Sequence, residues 1–188
     1  MFHIFFWIPL GKLYNLKQFM AYGNNMTGTI PTEMGFLSSA QVFDISDNKL
    51  EGAIPKEVGS MINLRQLVLN FNKFTSSIPS ELGNLEKLTH LKLFTNKLNK
   101  TIPSELGNLK NLQVLGLIRN QLTGEIPSSL LNLENLLHLD VMIGNNLSLT
   151  RSDGLDPFFC NIPDVTFWLD CGEEQSIETC MCCNCWVS

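Results

Sequence analysis

Residues 78–125 consist of two 24-residue blocks that nearly repeat each other, IPSELGNLEKLTHLKLFTNKLNKT and IPSELGNLKNLQVLGLIRNQLTGE. The Ile-Pro pair that opens both blocks recurs at Ile30, Ile54 and Ile126, each time 24 residues from its neighbour. With the isoleucine counted as place 1, apolar residues fill places 5, 8, 11, 14, 16 and 21. A fixed period of this length predicts a solenoid, in which each repeat forms one coil and neighbouring coils share a core.

The coils start near residues 8, 30, 54, 78, 102 and 126, so residues 1–150 are assigned to the solenoid. Places 11, 14 and 16 frame a short strand, and the alternation at places 14 and 16 turns two side chains inward. Strands of successive coils then lie parallel, about 4.8 Å apart. The predicted fold class is an α/β-type solenoid, a horseshoe of about six coils with a concave parallel β-sheet.

Asparagine fills place 19, where the chain leaves the strand and backbone groups would otherwise face the interior unpaired. A buried asparagine side chain offers both donors and an acceptor, so a column of them can pair these groups in coil after coil. In the last coil, we place one extra residue at Gly144, which shifts the column by one position. The predicted structural ladder comprises Asn24, Asn48, Asn72, Asn96, Asn120 and Asn145.

The resulting pattern, LxxLxxLxLxxNxLxGxIPxxLG over about residues 8–150, resembles the plant-type extracellular leucine-rich repeat. The resemblance implies a receptor-like or secreted recognition module that binds a protein, a peptide or a glycan on its concave face. It implies no cofactor. Members of the family usually carry an N-terminal cysteine cap and a signal peptide. The first cysteine here is Cys160, so the resemblance implies a chain that is incomplete at its N-terminus.

Places 12, 13, 15, 17 and 18 are predicted to project from the strands onto the concave face. Apolar residues at places 17 and 18 form a slanting stripe, for which we count Met142 at place 17 and Ile143 at place 18. Contiguous exposed apolar residues mark interaction sites, although packing against a missing part of the protein or drift at unselected places are alternatives. With polar neighbours added, the candidate ligand-binding residues are Phe71, His90, Lys92, Phe94, Ile118, Arg119, Met142 and Ile143.

No catalytic or metal-binding constellation is apparent, and the chain is predicted not to be an enzyme. His90 and His138 share place 13 two coils apart, at about 10 Å. One metal ion cannot bridge that gap with bonds of roughly 2 Å. Ser80 and Ser104 resemble N-caps of short helical turns. The acidic column beside them is interpreted as solvated carboxylates, at Glu33, Glu57, Glu81 and Glu105.

Residues 151–188 differ from the repeats in charge and in cysteine content. The net charge is +1 over residues 1–150 and −6 over residues 151–188. We predict an acidic cap over the last coil, closed by disulfides whose pairing the sequence leaves open, with a metal–thiolate tract as the alternative. This segment is similar to the cysteine-rich caps of leucine-rich repeat proteins from algae such as diatoms. Its cysteines are Cys160, Cys171, Cys180, Cys182, Cys183 and Cys185.

Composition and short motifs favour an extracellular location. Asn25, Asn99 and Asn146 each begin an Asn-x-Ser/Thr glycosylation triplet. The charge balance is wrong for a basic nucleic-acid binder, and the chain lacks the roughly 20 consecutive apolar residues of a membrane-spanning helix. We therefore predict a module outside the cell or at the outer face of the plasma membrane, with any anchor in missing sequence. A secreted inhibitor of a hydrolase and an intracellular scaffold with reduced or metal-bound cysteines are the alternatives.

Overall fold

A computed structural model describes residues 13–141 and 143–148, so the predicted cap, its six cysteines and Met142 lie outside the described residues. One short strand from each of six coils joins a parallel sheet, in which every residue pairs with the residue 24 positions further on. The predicted solenoid with a parallel sheet on its concave face is confirmed. The strands of this sheet are β1 (Gln18–Met20), β3 (Val42–Asp44), β5 (Gln66–Val68), β7 (His90–Lys92), β9 (Val114–Gly116) and β11 (His138–Asp140).

The rest of each coil consists of a second short strand and a single turn of 3-10 helix. The second strands form two three-stranded parallel sheets, β2-β4-β6 and β8-β10-β12. They span β2 (Thr27–Gly28), β4 (Lys49–Ala53), β6 (Lys73–Thr75), β8 (Asn99–Lys100), β10 (Gln121–Glu125) and β12 (Asn146–Ser148). The 3-10 helices follow the Ile-Pro pairs and span Thr32–Phe36, Lys56–Ser60, Ser80–Asn84, Ser104–Asn108 and Ser128–Asn132.

The repeated apolar places form one continuous core along the solenoid. Each fully buried leucine contributes about 2 kcal/mol relative to an exposed one, but only while neighbouring coils cover it. A single coil therefore cannot hold its own fold, and stability comes from stacking. In the coil that starts at Ile78, the fully buried residues are Leu82, Leu85, Leu88, Leu91, Leu93 and Leu98.

The asparagines of place 19 connect each coil to the one before it. Oδ1 of Asn72 accepts the backbone N–H of Leu50 at 3.0 Å, and its Nδ2 donates to the carbonyl of Ile45 at 3.0 Å. Both partners belong to the preceding coil, and Nδ2 also donates to Leu69 of its own coil at 3.2 Å. The same arrangement recurs at Asn48, Asn96, Asn120 and Asn145.

A second asparagine column, which the sequence analysis missed, joins the coils on the far side of the core. These asparagines stand at place 10, and each Nδ2 donates to a backbone carbonyl of the preceding coil at 2.8–2.9 Å. The column is formed by Asn63, Asn111 and Asn135. In the intervening coil Lys87 takes this place, and its Nζ donates to Oδ1 of Asn63 at 2.7 Å. The column therefore continues through a different side chain.

Glycine at place 6 sets how closely the 3-10 helices stack. A Cβ built on Gly83 would overlap the carbonyl oxygen of Glu105 in the next coil and lie 2.8 Å from the Cβ of that residue. Gly35, Gly59 and Gly107 meet the next coil in the same way. Only glycine at place 6 therefore permits the coils to pack this closely on this side.

The serines that begin two of the helices do not cap them, contrary to prediction. The residue at the N-cap is Pro79 or Pro103, and no side chain makes a capping hydrogen bond there. The Ser80 hydroxyl instead donates to the Glu81 carboxylate at 3.3 Å. Because proline precedes each helix, its fixed φ of about −65° already presets the chain for the turn.

In the last coil the extra residue lies before Ile143 and not at Gly144. The N–H of Arg119 donates to the carbonyl of Ile143 at 2.6 Å, just as the N–H of Thr95 donates to that of Ile118 at 2.9 Å. Ile143 therefore takes place 17. Gly144, with φ of +69°, has the left-handed backbone found at place 18 of the earlier coils. The predicted assignment of Met142 to place 17 and Ile143 to place 18 is wrong.

The glycine column makes a direct prediction for Gly83→Ala. The added methyl group has no space, so the two helices must separate, at a cost of about 2–3 kcal/mol. Urea unfolding followed by circular dichroism measures the loss. Asn84→Ala, at the exposed next position of the same helix, is the matched control and should change stability little. Equal unfolding midpoints for Gly83→Ala and the wild type would contradict the stacking argument.

Candidate ligand-binding surface on the concave sheet

The described members of the predicted binding set lie in or directly after neighbouring strands of the concave sheet. His90 and Lys92 are the first and last residues of β7, and their side chains are half-buried. Phe94, Ile118 and Ile143 occupy place 17 of three successive coils. The sheet register thus gathers residues that are 24 or more positions apart in the sequence into one surface. Phe71 and Arg119 stand at place 18, beside this row.

Phe71 and Phe94 form the aromatic centre of this surface. Their ring centroids are 5.2 Å apart, and their planes meet at 84°, an edge-to-face pair. Such pairs contribute about 0.5–1.5 kcal/mol beyond simple burial, so the two rings hold each other in place. Phe71 is nevertheless 46% exposed, and its backbone has a φ of +54°. A bulky residue rarely adopts this left-handed conformation, and glycine would adopt it without strain.

Gly116 provides a recess in which the ring of Phe94 rests. A Cβ on Gly116 would lie 3.1 Å from Cδ1 of Phe94, so the ring covers the bare backbone of β9. Lys92 and Asp140 flank this glycine in the sheet register, one on each neighbouring strand. Asp140 is not among the binding residues predicted from the sequence. Its position two residues after His138, on the same face of β11, was the available signal.

Burial shifts the pKa values of His90 and Asp140 towards favouring the neutral form of each group. Desolvation lowers the pKa of His90, and the positive charges of Lys92 and His138 lower it further. Desolvation raises the pKa of Asp140, and His138 opposes that shift.

Place 17 does not project onto the surface in every coil, contrary to prediction. Ser46 and Asn70 are buried, while Tyr22 at the same place is exposed. Oδ1 of Asn70 and Oγ1 of Thr95 are buried and accept no hydrogen bond from any described residue. Buried polar atoms without partners are rare in folded proteins. Asn70 directly precedes Phe71, and Thr95 directly follows Phe94. The aromatic pair is therefore bordered by two buried polar atoms that lack a hydrogen-bond partner among the described residues.

The remaining predicted groups lie away from this surface or do not converge. Asn25 is exposed, Asn99 begins β8 and Asn146 begins β12, so none of the glycosylation triplets is in the concave sheet. Val114 separates His90 from His138 in the sheet register. Among residues 13–141 and 143–148, no group of three or more His, Cys, Asp or Glu side chains is placed to hold a metal ion. No helix within this part of the chain is long and apolar enough to cross a bilayer.

A family model described as a leucine-rich repeat region matches residues 8–157. The chain belongs to the leucine-rich repeat family. No curated protein matches the sequence.

Solved structures of leucine-rich repeat proteins share the fold. The ectodomain of the Arabidopsis thaliana receptor kinase GASSHO1/SCHENGEN3, in complex with CASPARIAN STRIP INTEGRITY FACTOR 2, matches with a TM-score of 0.77 at 33% identity, over 84% of this chain and 18% of that one. The Arabidopsis HAESA ectodomain, in complex with an IDA peptide hormone, matches with a TM-score of 0.75 at 31% identity, over 85% and 26%. A Leptospira interrogans protein matches with a TM-score of 0.72 at 31% identity, over 86% and 39%. This leucine-rich repeat chain thus spans well under half the length of these relatives.

The electrostatic coupling within β7 predicts the titration of His90. Lys92→Gln removes a positive charge that opposes protonation, so the pKa of His90 should rise towards 6.5 while remaining below it because burial persists. An NMR titration of the His90 ring protons measures the change. Lys97→Gln, which removes an exposed lysine outside the sheet, serves as the control. Identical His90 titration curves in the wild type and Lys92→Gln would contradict the assignment.

Proposed function

We propose that this chain is the recognition part of an extracellular leucine-rich repeat protein and binds a peptide or an extended protein segment on its concave sheet. The observation that carries the proposal is the Phe71–Phe94 pair, a rigid and partly exposed apolar anchor. Buried aromatic anchors contribute a large share of the binding energy at protein interfaces. Two of the similar ectodomains described above are in complexes with a peptide hormone or a named factor, which favours a ligand of this kind.

Polar groups around the pair are suited to hydrogen bonding with a peptide backbone. Lys92 and Arg119 offer donors, and Asp140 offers an acceptor. Lys92 and Asp140 stand on opposite sides of Gly116 in the sheet register, and the ring of Phe94 covers that glycine. A ligand strand lying across β7, β9 and β11 would cover the aromatic pair at one side. It would also come within reach of Lys92, Arg119 and Asp140.

The segment after the last coil is proposed to form the cysteine-rich cap. Place 6 of the last coil holds Leu131, where the four preceding coils have glycine. A side chain there would collide with another regular coil packed at the spacing seen at Gly83 and Gly107. We therefore propose that the following residues do not continue as another regular coil. Six cysteines within that segment favour disulfides and an oxidising compartment.

The binding proposal predicts that Phe71→Ala and Phe94→Ala abolish most of the affinity for concave-face ligands. Phage-displayed random dodecapeptides selected on the wild-type chain serve as probes, with affinities measured by biolayer interferometry. Each variant should bind the selected peptides at least about tenfold more weakly, because a central aromatic anchor is lost.

Phe36→Ala is the matched control, since Phe36 is 67% exposed in a 3-10 helix on another side of the coil. It should leave the affinities unchanged. Selected peptides that bind both concave variants as tightly as the wild type would place recognition on a different surface and contradict the proposal.

The secretory proposal predicts the redox state of the six cysteines. Thiol titration of the denatured, unreduced protein, secreted from eukaryotic cells, should detect few free thiols, and prior reduction should release all six. Six free thiols without reduction would reject the disulfide cap and favour the intracellular alternative.

A further inference from the structure

Three polar groups at the start of β7 form a hydrogen-bond chain beside the candidate surface. The Thr89 hydroxyl lies 2.8 Å from the backbone carbonyl oxygen of Arg65, in the preceding coil. The same hydroxyl oxygen lies 2.9 Å from Nδ1 of His90. Thr89 therefore touches one group that can only accept a hydrogen bond and one that can either donate or accept.

The number of available protons determines which group donates in each of the two hydrogen bonds. A hydroxyl group has a single proton, and a carbonyl oxygen has none. When Thr89 donates that proton to the Arg65 carbonyl, its oxygen is left as an acceptor, and Nδ1 of His90 must supply the second hydrogen bond. In a neutral imidazole only one ring nitrogen carries a proton. The proton therefore sits on Nδ1, and Nε2 carries a free lone pair.

We infer that His90 presents Nε2 as a fixed hydrogen-bond acceptor on the concave sheet, and that the site selects ligands with an N–H or O–H donor at this position. The inference rests on the proposed function and specifies part of its ligand. Nε2 of His90 makes no hydrogen bond within residues 13–141 and 143–148. It lies on the same strand as Lys92 and in register with Gln66 and Val114. The acceptor of His90 and the donors of Lys92 then stand two residues apart on the same strand.

The chain contains an internal comparison for this assignment. His138 occupies the same place two coils later, but the residue before it is Leu137, which has no hydroxyl group. No hydroxyl group at the preceding position therefore binds the ring of His138, and its charged neighbour on the same strand is Asp140. In the six coils described, only this coil has a hydroxyl residue at place 12.

Nitrogen NMR of the free protein at pH 7.5 tests the tautomer directly. Long-range proton–nitrogen correlations should show a protonated Nδ1 and an unprotonated Nε2 for His90, and a mixture of tautomers for His138. Thr89→Val keeps the β-branched shape but removes the hydroxyl group, so His90 should become a mixture as well. An Nε2-protonated His90 in the wild type, or an unchanged tautomer in Thr89→Val, would overturn the inference. Unchanged His138 signals show that the variant is folded.

Binding of the selected dodecapeptides tests the consequence for recognition. Thr89→Val and His90→Phe should weaken binding about threefold to tenfold, the effect of one neutral hydrogen bond, while Thr123→Val should have none. If binding depends on Phe94 but not on Thr89 or His90, the inference fails and the proposed function stands. If binding is insensitive to Phe94, the proposed function fails, while the tautomer measurement still decides the state of His90.

Discussion

Pairing the backbone groups where the chain leaves each strand is the constraint on which the whole molecule depends. At that point the chain turns out of the concave sheet, and the carbonyls and N–H groups of two coils meet without partners of their own. One asparagine amide satisfies them, as Asn72 does for Ile45 and Leu50. Each buried donor or acceptor left unpaired would cost about 1–3 kcal/mol, so the column has to be repeated in every coil.

The asparagine ladder and the parallel sheet share one coil-to-coil spacing, which constrains the rest of the solenoid. On the opposite side, coils at the same separation leave no room for a Cβ at place 6, which explains glycine at Gly83 and its equivalents. On the concave side, the same separation brings place 18 of one coil to place 17 of the next. Phe71 and Phe94, which belong to neighbouring coils, can therefore form a pair across the boundary between them.

The chemistry of the concave surface follows from its partial burial more than from its formal charge. His90 and Asp140 both shift towards neutrality because neighbouring strands and side chains displace water from them. The chain has a net charge of −5 because its last 38 residues carry −6, so this value does not describe the surface. Under the proposed function, a ligand would be recognised here by apolar contact and by the direction of individual hydrogen bonds, such as the one at Nε2 of His90.

The sequence alone determined the period, the parallel sheet, the buried places and five of the six predicted ladder residues, because these features follow the repeat of about 24 residues. Because the apolar places recur in every coil, the core residues can be predicted from the sequence. Features that break the repeat needed the tertiary structure. The register of Ile143 and Gly144 depends on which carbonyl the N–H of Arg119 reaches, and the burial of Asn70 depends on its neighbours. The proton on His90 likewise depends on a carbonyl 25 residues away, at Arg65. Such details arise from contacts between coils, where side chains that differ from coil to coil meet, and no spacing within the sequence encodes them.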